Sequence, residues 1–147
     1  MLKTILVGFD ASDSAERALG RGADLAEALG ARLVVTSVAV LPVSMPGIDA
    51  ALPGAPAQFA AAGVDELELN ERHLERARAL LAERPVETEF VAEVGAPAER
   101  IVELAEEHGA DLIVVGTREP GFLARLLQGS VSEDVSRATH RDVMIVH

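Results

Sequence analysis

Residues 116–130 of this 147-residue chain hold Gly116, Arg118, Gly121 and the pair Gly129-Ser130. Together they could cradle a phosphate. Glycine tolerates positive φ and close approach of a ligand to the backbone. Arginine is a charged donor for phosphate oxygens. Gly129-Ser130, followed by Val131 and Ser132, reads as a helix start, where unpaired N–H groups and the helix dipole favour an anion. Ser130 could add its hydroxyl. Glu119 stands in the same stretch, and its carboxylate would repel a phosphate unless it turns to solvent or shares a divalent ion. An ordinary strand–loop–helix connection would use the same turn residues, so spacing alone leaves both readings open.

The segment Asp10–Ser12 follows the first apolar run and is the second candidate. Asp10 and Asp13 could hold a metal, but Asp13 reads better as a helix cap, with Glu16 three residues later completing a capping box. His73, His108, His140 and His147 are scattered, with no ligand-pair spacing, and read as surface histidines. Other chemistries lack their residues. Lys3 is the only lysine and sits before a strand, so a Walker phosphate loop is excluded. "GFDASDS" lacks the glycine triplet of a dinucleotide fingerprint. No G-x-S-x-G elbow is present. Without cysteine there is no thiolate nucleophile or ligand and no disulfide.

These candidates must be held by strands and helices, and the pattern predicts which. Lys3–Phe9 is a short β-branched run, read as a central strand. Ala15, Ala18, Leu19, Gly22, Ala26 and Leu29 recur at helical spacing, with Gly30 as a stop. "ARLVVTSVAV" is the next strand and ends near Val38. Residues 41–63, with four prolines and three glycines, read as a long loop or lid. A charged helix follows, with Leu67, Leu74, Ala77 and Leu81 as its apolar stripe, ending at Pro85. Val86–Val94 alternates with glutamates, as on a half-exposed edge, with Val86, Thr88, Phe90, Ala92 and Val94 on one side. Pro97 opens a further helix carrying Ile101, Leu104 and Ala105, closed by Gly109. Asp111–Gly116 is a buried strand. "SVSEDVSRAT" is a short helix with Val131, Val135 and Ala138 inside, and "DVMIVH" is a last strand. Alternation of this kind predicts one domain over 1–147: an α/β fold with a doubly wound parallel sheet and helices on both faces. Ligands of such sheets sit beyond the C-terminal strand ends. The loops after Asp10, Val38 and Gly116 are therefore the candidate site.

Composition narrows the partners. Nearly half the residues are hydrophobic, and Trp and Tyr are absent, so the core must be aliphatic. The net charge of −11 argues against nucleic acid, whose binding depends on basic contacts to phosphates. Residues 65–107 carry 13 acidic groups against 5 arginines, whereas 116–130 carry Arg118 and Arg125 against Glu119 alone. The candidate phosphate loop is thus mildly cationic within an acidic protein. No apolar run reaches the roughly 20 residues that span a bilayer. The N-terminus lacks the long apolar stretch of a signal peptide. A cytoplasmic location is expected.

Three stretches carry a family resemblance over almost the whole chain. "ILVGFDASDSAERAL", "GAPAERIVELAEEHGADLIVVGTR" and "GSVSEDVSRATHRDVMIV" resemble the universal stress protein family. The resemblance implies a five-stranded parallel sheet of order 3-2-1-4-5, an adenine-nucleotide alpha hydrolase-like architecture. It also implies a homodimer paired through the last strand, here 143–146. The ATP-binding branch of that family carries G-x2-G-x9-G-[ST]. Gly116 and Gly129-Ser130 match its ends at the right spacing, Glu119 replaces its second glycine, and Gly121 lies two residues on. The resemblance implies that Asp10, Ala11 and Ser12 line the base and ribose. It gives Val38 backbone contacts to adenine, and places Gly116, Arg118 and Gly121 around the phosphates. Gly129, Ser130, Val131 and Ser132 would hold them, with Mg2+ bound through the nucleotide. ATP would act as a regulatory ligand, with hydrolysis slow at most. The alternative is a nucleotide-free interaction module with a protein partner, for which Glu119 marks a lost site.

Overall fold

The computed structural model describes residues 1–42, 54–116 and 138–147. Five parallel strands form one sheet of order β3-β2-β1-β4-β5. They are β1 (Thr4–Gly8), β2 (Arg32–Ala39), β3 (Thr88–Val94), β4 (Leu112–Gly116) and β5 (Asp142–Val146). The helices among the described elements are α1 (Asp13–Leu29), α2 (Ala55–Leu81) and α3 (Pro97–Glu107). The predicted architecture and strand order are both observed.

Two-residue periodicity divides the aliphatic strands between two cores. Ile5, Val7, Leu33, Val35 and Val114 lie on one face with the buried residues of α1 and α2. Leu6, Val34, Ile113 and Val115 lie on the other with Ile101, Leu104 and Ala105 of α3. β1, β2 and β4 are buried on both faces, which explains their continuous apolar sequences. At the opposite end from the candidate site, Asp111 accepts from the backbone N–H groups of Lys3 and Thr4 at 2.7 and 3.1 Å. These bonds hold its carboxyl below the usual carboxylate range.

α1 lies close on β1 because Gly22 faces the sheet. A Cβ there would come within 2.7 Å of Val7 Cγ2. The start of α1 corrects the sequence reading by one residue. Ser12, not Asp13, is the cap: its Oγ accepts from the backbone N–H of Ala15 at 3.2 Å. Asp13 and Glu16 instead place negative charge in the first turn, where the dipole favours it. Gly30 ends the helix in the left-handed region, as expected.

The expected loop 41–63 is shorter than predicted, because α2 begins at Ala55. Pro56 suits a first turn, and the alanines of "APAQFAAAG" are the strongest helix formers. Those propensities outweigh Gly63. The remainder of that predicted loop beyond Pro42, residues 43–53, lies outside the described residues. Leu74, Ala77 and Leu81 are buried as predicted, but Leu67 is 43% exposed. A 27-residue helix spans about 40 Å and an eight-residue strand about 26 Å. α2 therefore outruns the strands beneath it, and the apolar stripe loses its cover towards the N-terminus.

β3 is an edge strand, as the glutamates suggested, and is only partly buried. Its predicted inner set holds for Thr88 and Phe90 but not for Ala92 and Val94, which are exposed. Glu93 is drawn inward instead, accepting from Arg100 Nη2 of α3 at 2.8 Å. β5 forms the other edge, with Val143 and Ile145 exposed. Ala138, expected inside, is also exposed. Among the described residues, no helix is long and apolar enough to cross a membrane.

Candidate functional site

Parallel strands place all their C-terminal ends at one edge of the sheet. The register pairs Gly8 with Thr36, so Val38 stands two residues beyond the end of β1. Val7 pairs with Val114, which brings Gly116 two residues beyond that level. β1 leaves between its two neighbours, β2 and β4, and its chain turns there through Asp10, Ala11 and Ser12. Asp10, Ala11, Ser12, Val38 and Gly116 are thus brought to one edge. Arg118, Gly121, Gly129, Ser130, Val131 and Ser132 lie outside the described residues.

The turn after β1 is tightly specified. Phe9, fully buried, donates its N–H to the Thr36 carbonyl at 2.8 Å. Asp10 Oδ1 accepts from the backbone N–H of Ser12 at 3.0 Å. Between them Ala11 has φ of 59°, the only non-glycine in the left-handed region among the described residues. That conformation costs an L-residue roughly 1–2 kcal/mol, and the flanking bonds hold it in place. Ser12 then caps α1, and its Oγ lies 3.4 Å from Ser14 Oγ. With its hydroxyl on the helix, Ser12 is a poor candidate for a strong side-chain contact to a ligand.

Gly116 has a role that sequence reasoning did not assign. A Cβ on it would stand 2.5 Å from Ser14 C, 2.6 Å from Ser14 O and 2.7 Å from Ala15 N. The first turn of α1 therefore rests directly on the end of β4. Whatever space Gly116 leaves for a ligand, its lack of a side chain is required by that contact.

The sequence reading also missed His73. It is half-buried rather than a surface residue, and its Nδ1 lies 3.2 Å from Ser37 Oγ on β2, next to Val38. Burial pushes the imidazole pKa down, while the carboxylates of Asp10 and Glu66 pull it up less strongly. One turn earlier, Asn70 is 4% exposed and donates Nδ2 to the Glu93 carbonyl at 3.1 Å. The one available signal was Asn70, a polar residue on the stripe that continues through Leu74, Ala77 and Leu81. No group of three or more His, Asp or Glu that could hold a metal ion occurs among the described residues.

The lowered His73 pKa has a stability consequence. The folded state favours neutral imidazole, and the unfolded chain takes up a proton near the ordinary value of about 6.5. Stability from this group is therefore complete above that value and declines as pH falls from it towards the lower folded value. Thermal melts at pH 7.5 and 5.5 should show a smaller acid-induced drop in Tm for His73→Gln than for the unaltered protein.

The comparisons with known proteins bear on the family and the fold. The sequence model of the universal stress protein family matches residues 1–147. The universal stress protein Rv1636 of Mycobacterium tuberculosis is 38% identical, covering 99% of this chain and 96% of its own. A crystal structure of a universal stress protein in complex with cAMP is 34% identical, with a TM-score of 0.67 over 99% of this chain and 97% of that one. A universal stress family protein from Burkholderia pseudomallei is 30% identical, with a TM-score of 0.70 over 99% and 96% of the two chains.

Proposed function

The chain belongs to the universal stress protein family, and from that premise we propose that it binds ATP, or a closely related adenine nucleotide, as a regulatory ligand. The observation that carries this reading is the meeting of Asp10–Ser12, Val38 and Gly116 at the edge where β1 leaves between β2 and β4. Open parallel sheets bind ligands at such switch points. A similar protein with cAMP bound adds support for the adenine class. In this reading the base and ribose lie against Asp10, Ala11 and Ser12, with backbone groups at Val38 facing adenine. Gly116, Arg118 and Gly121 surround the phosphates, and Gly129, Ser130, Val131 and Ser132 hold them at a helix start. Mg2+ would reach the site on the phosphates, where it would neutralise charge.

ATP acts here as a signal rather than a fuel, so hydrolysis is slow at most. The protein works as a cytoplasmic homodimer in stress response. The exposed Val143 and Ile145 on edge strand β5 support pairing of the two copies through 143–146. A second reading, a nucleotide-free module that meets a protein partner, is favoured by one observation: Glu119 at the second glycine of the ATP motif.

Two measurements separate the readings. Mass spectrometry of small molecules released from the purified protein should detect an adenine nucleotide. Equilibrium titration with ATP and magnesium should saturate below millimolar concentration. A nucleotide-free preparation that fails to saturate there overturns the ATP reading and leaves the interaction module.

A further inference from the structure

The buried face of α2 changes chemistry along its length. Leu81, Ala77 and Leu74 are buried aliphatic residues packed with the core of β1, β2 and β4. Beyond them, towards the C-terminal ends of the strands, come His73, Asn70 and Glu66, respectively half-buried, buried and half-buried. Burial of polar groups costs free energy unless each finds a partner. Asn70 does so only in part. Its Nδ2 is bonded to Glu93, but its Oδ1 is, among the described residues, the one buried side-chain polar atom with no hydrogen-bond partner. A buried acceptor of this kind calls for a donor beyond the described residues, and water or a ligand can supply one. A helix serving only to cover the sheet would continue its aliphatic stripe here.

His73 stands at the junction. Ser37 ties its Nδ1 to β2, one residue before Val38, and the ring feels the charge of Asp10 on the β1–α1 turn. The same ring is thus bonded to β2 beside Val38 and senses the carboxylate of the turn after β1. Among the described residues Nε2 carries no hydrogen bond. We propose that His73 is a further ligand-contact residue of this pocket, with Nε2 bonding a ribose hydroxyl of the bound adenine nucleotide. This rests on the nucleotide reading above. A hydroxyl both donates and accepts, so it satisfies Nε2 in either tautomer that the Ser37 bond selects. Any single atom of the adenine base, donor N6 or an acceptor ring nitrogen, would match one tautomer only.

The test compares ATP with 2′-deoxy- and 3′-deoxy-ATP by equilibrium binding to the unaltered protein, His73→Asn and His73→Gln. Asparagine places an amide near Nδ1 and keeps a partner for Ser37, but it has nothing at Nε2. Glutamine places its amide near Nε2 and gives up the Ser37 bond. The unaltered protein should prefer ATP about tenfold over one of the deoxy forms, as expected for one lost hydrogen bond. His73→Asn should lose that preference and bind ATP about tenfold more weakly, whereas His73→Gln should keep most of both. Equal binding of ATP and both deoxy forms by the unaltered protein overturns the assignment without recourse to any variant. So does retention by His73→Asn with loss in His73→Gln, which would mark His73 as a positioning residue acting through Ser37. Failure of the unaltered protein to bind ATP at all is a different result, since it removes the nucleotide reading itself.

Discussion

Gly116→Ala should destabilise the protein by about 3 kcal/mol, the upper part of the range for overpacking. The added Cβ would sit 2.5–2.7 Å from backbone atoms of Ser14 and Ala15. A flexible side chain could turn aside at small cost, but two peptide groups in the first turn of a helix cannot. Either β4 or α1 must move, and both are packed into the core. For a chain of this length the loss corresponds to a fall in Tm of roughly 6–12 °C. The displacement would also carry Asp10–Ser12 away from Val38, so nucleotide affinity should fall with stability. Circular dichroism melts and ATP titration of the same variant check both effects. A variant that melts normally would mean that α1 does not rest on β4 as described. Full stability with lost affinity would give Gly116 a purely ligand-facing role.

Glu119→Gly and Ser130→Ala should shift ATP affinity in opposite directions. Removing Glu119 restores the second glycine of the motif and deletes a carboxylate from the loop proposed to hold a triphosphate. At a distance of about 4 Å and water-like screening, one such repulsion is worth about 1 kcal/mol, a gain of roughly fivefold. Loss of the Ser130 hydroxyl removes a hydrogen bond to a charged group, worth roughly 1.5–3 kcal/mol, so affinity should drop by at least about tenfold. Isothermal titration with ATP and magnesium reads both. Unchanged affinity in both variants would show that the phosphates lie elsewhere. Tightening on Glu119→Gly alone would keep the loop but remove Ser130 from it. Since the gain is electrostatic, it should shrink as salt is raised.

Much of the architecture was legible because it rests on local patterns. The continuous aliphatic runs at residues 5–7, 33–35 and 112–115 are what strands buried on both faces require. The glutamates of 87–93 are what an edge strand tolerates. The errors also have local causes. Asp13 and Ser12 are both good caps, and the choice went to Ser12 because Asp10 bonds its N–H and sets the turn one residue earlier. Proline and glycine counts hid the start of α2, although Pro56 and the alanines after it suit a first turn. Leu67 fits the stripe by spacing, but spacing does not reveal where the supporting strands end.

The candidate site was only partly legible. Asp10, Ala11, Ser12, Val38 and Gly116 could be named from their places after strands, because a parallel sheet sends every such place to one edge. His73 could not. Its hydrogen bond is to Ser37, 36 residues earlier, and its pKa reflects burial first and the charge of Asp10, further still, second. No periodicity in α2 announces either contact.

The sequence by itself therefore determined the class of fold and the family, and it named the edge proposed for a ligand. Each of these follows from short-range patterns: apolar periodicity, turn residues and motif spacing. Only the tertiary structure decided that Gly116 is bare because α1 rests on it, and that α2 turns a polar end towards the same edge. Both depend on which segments distant in sequence are pressed together, and close packing leaves no room for an extra methyl group nor, without cost, for a buried acceptor lacking a partner.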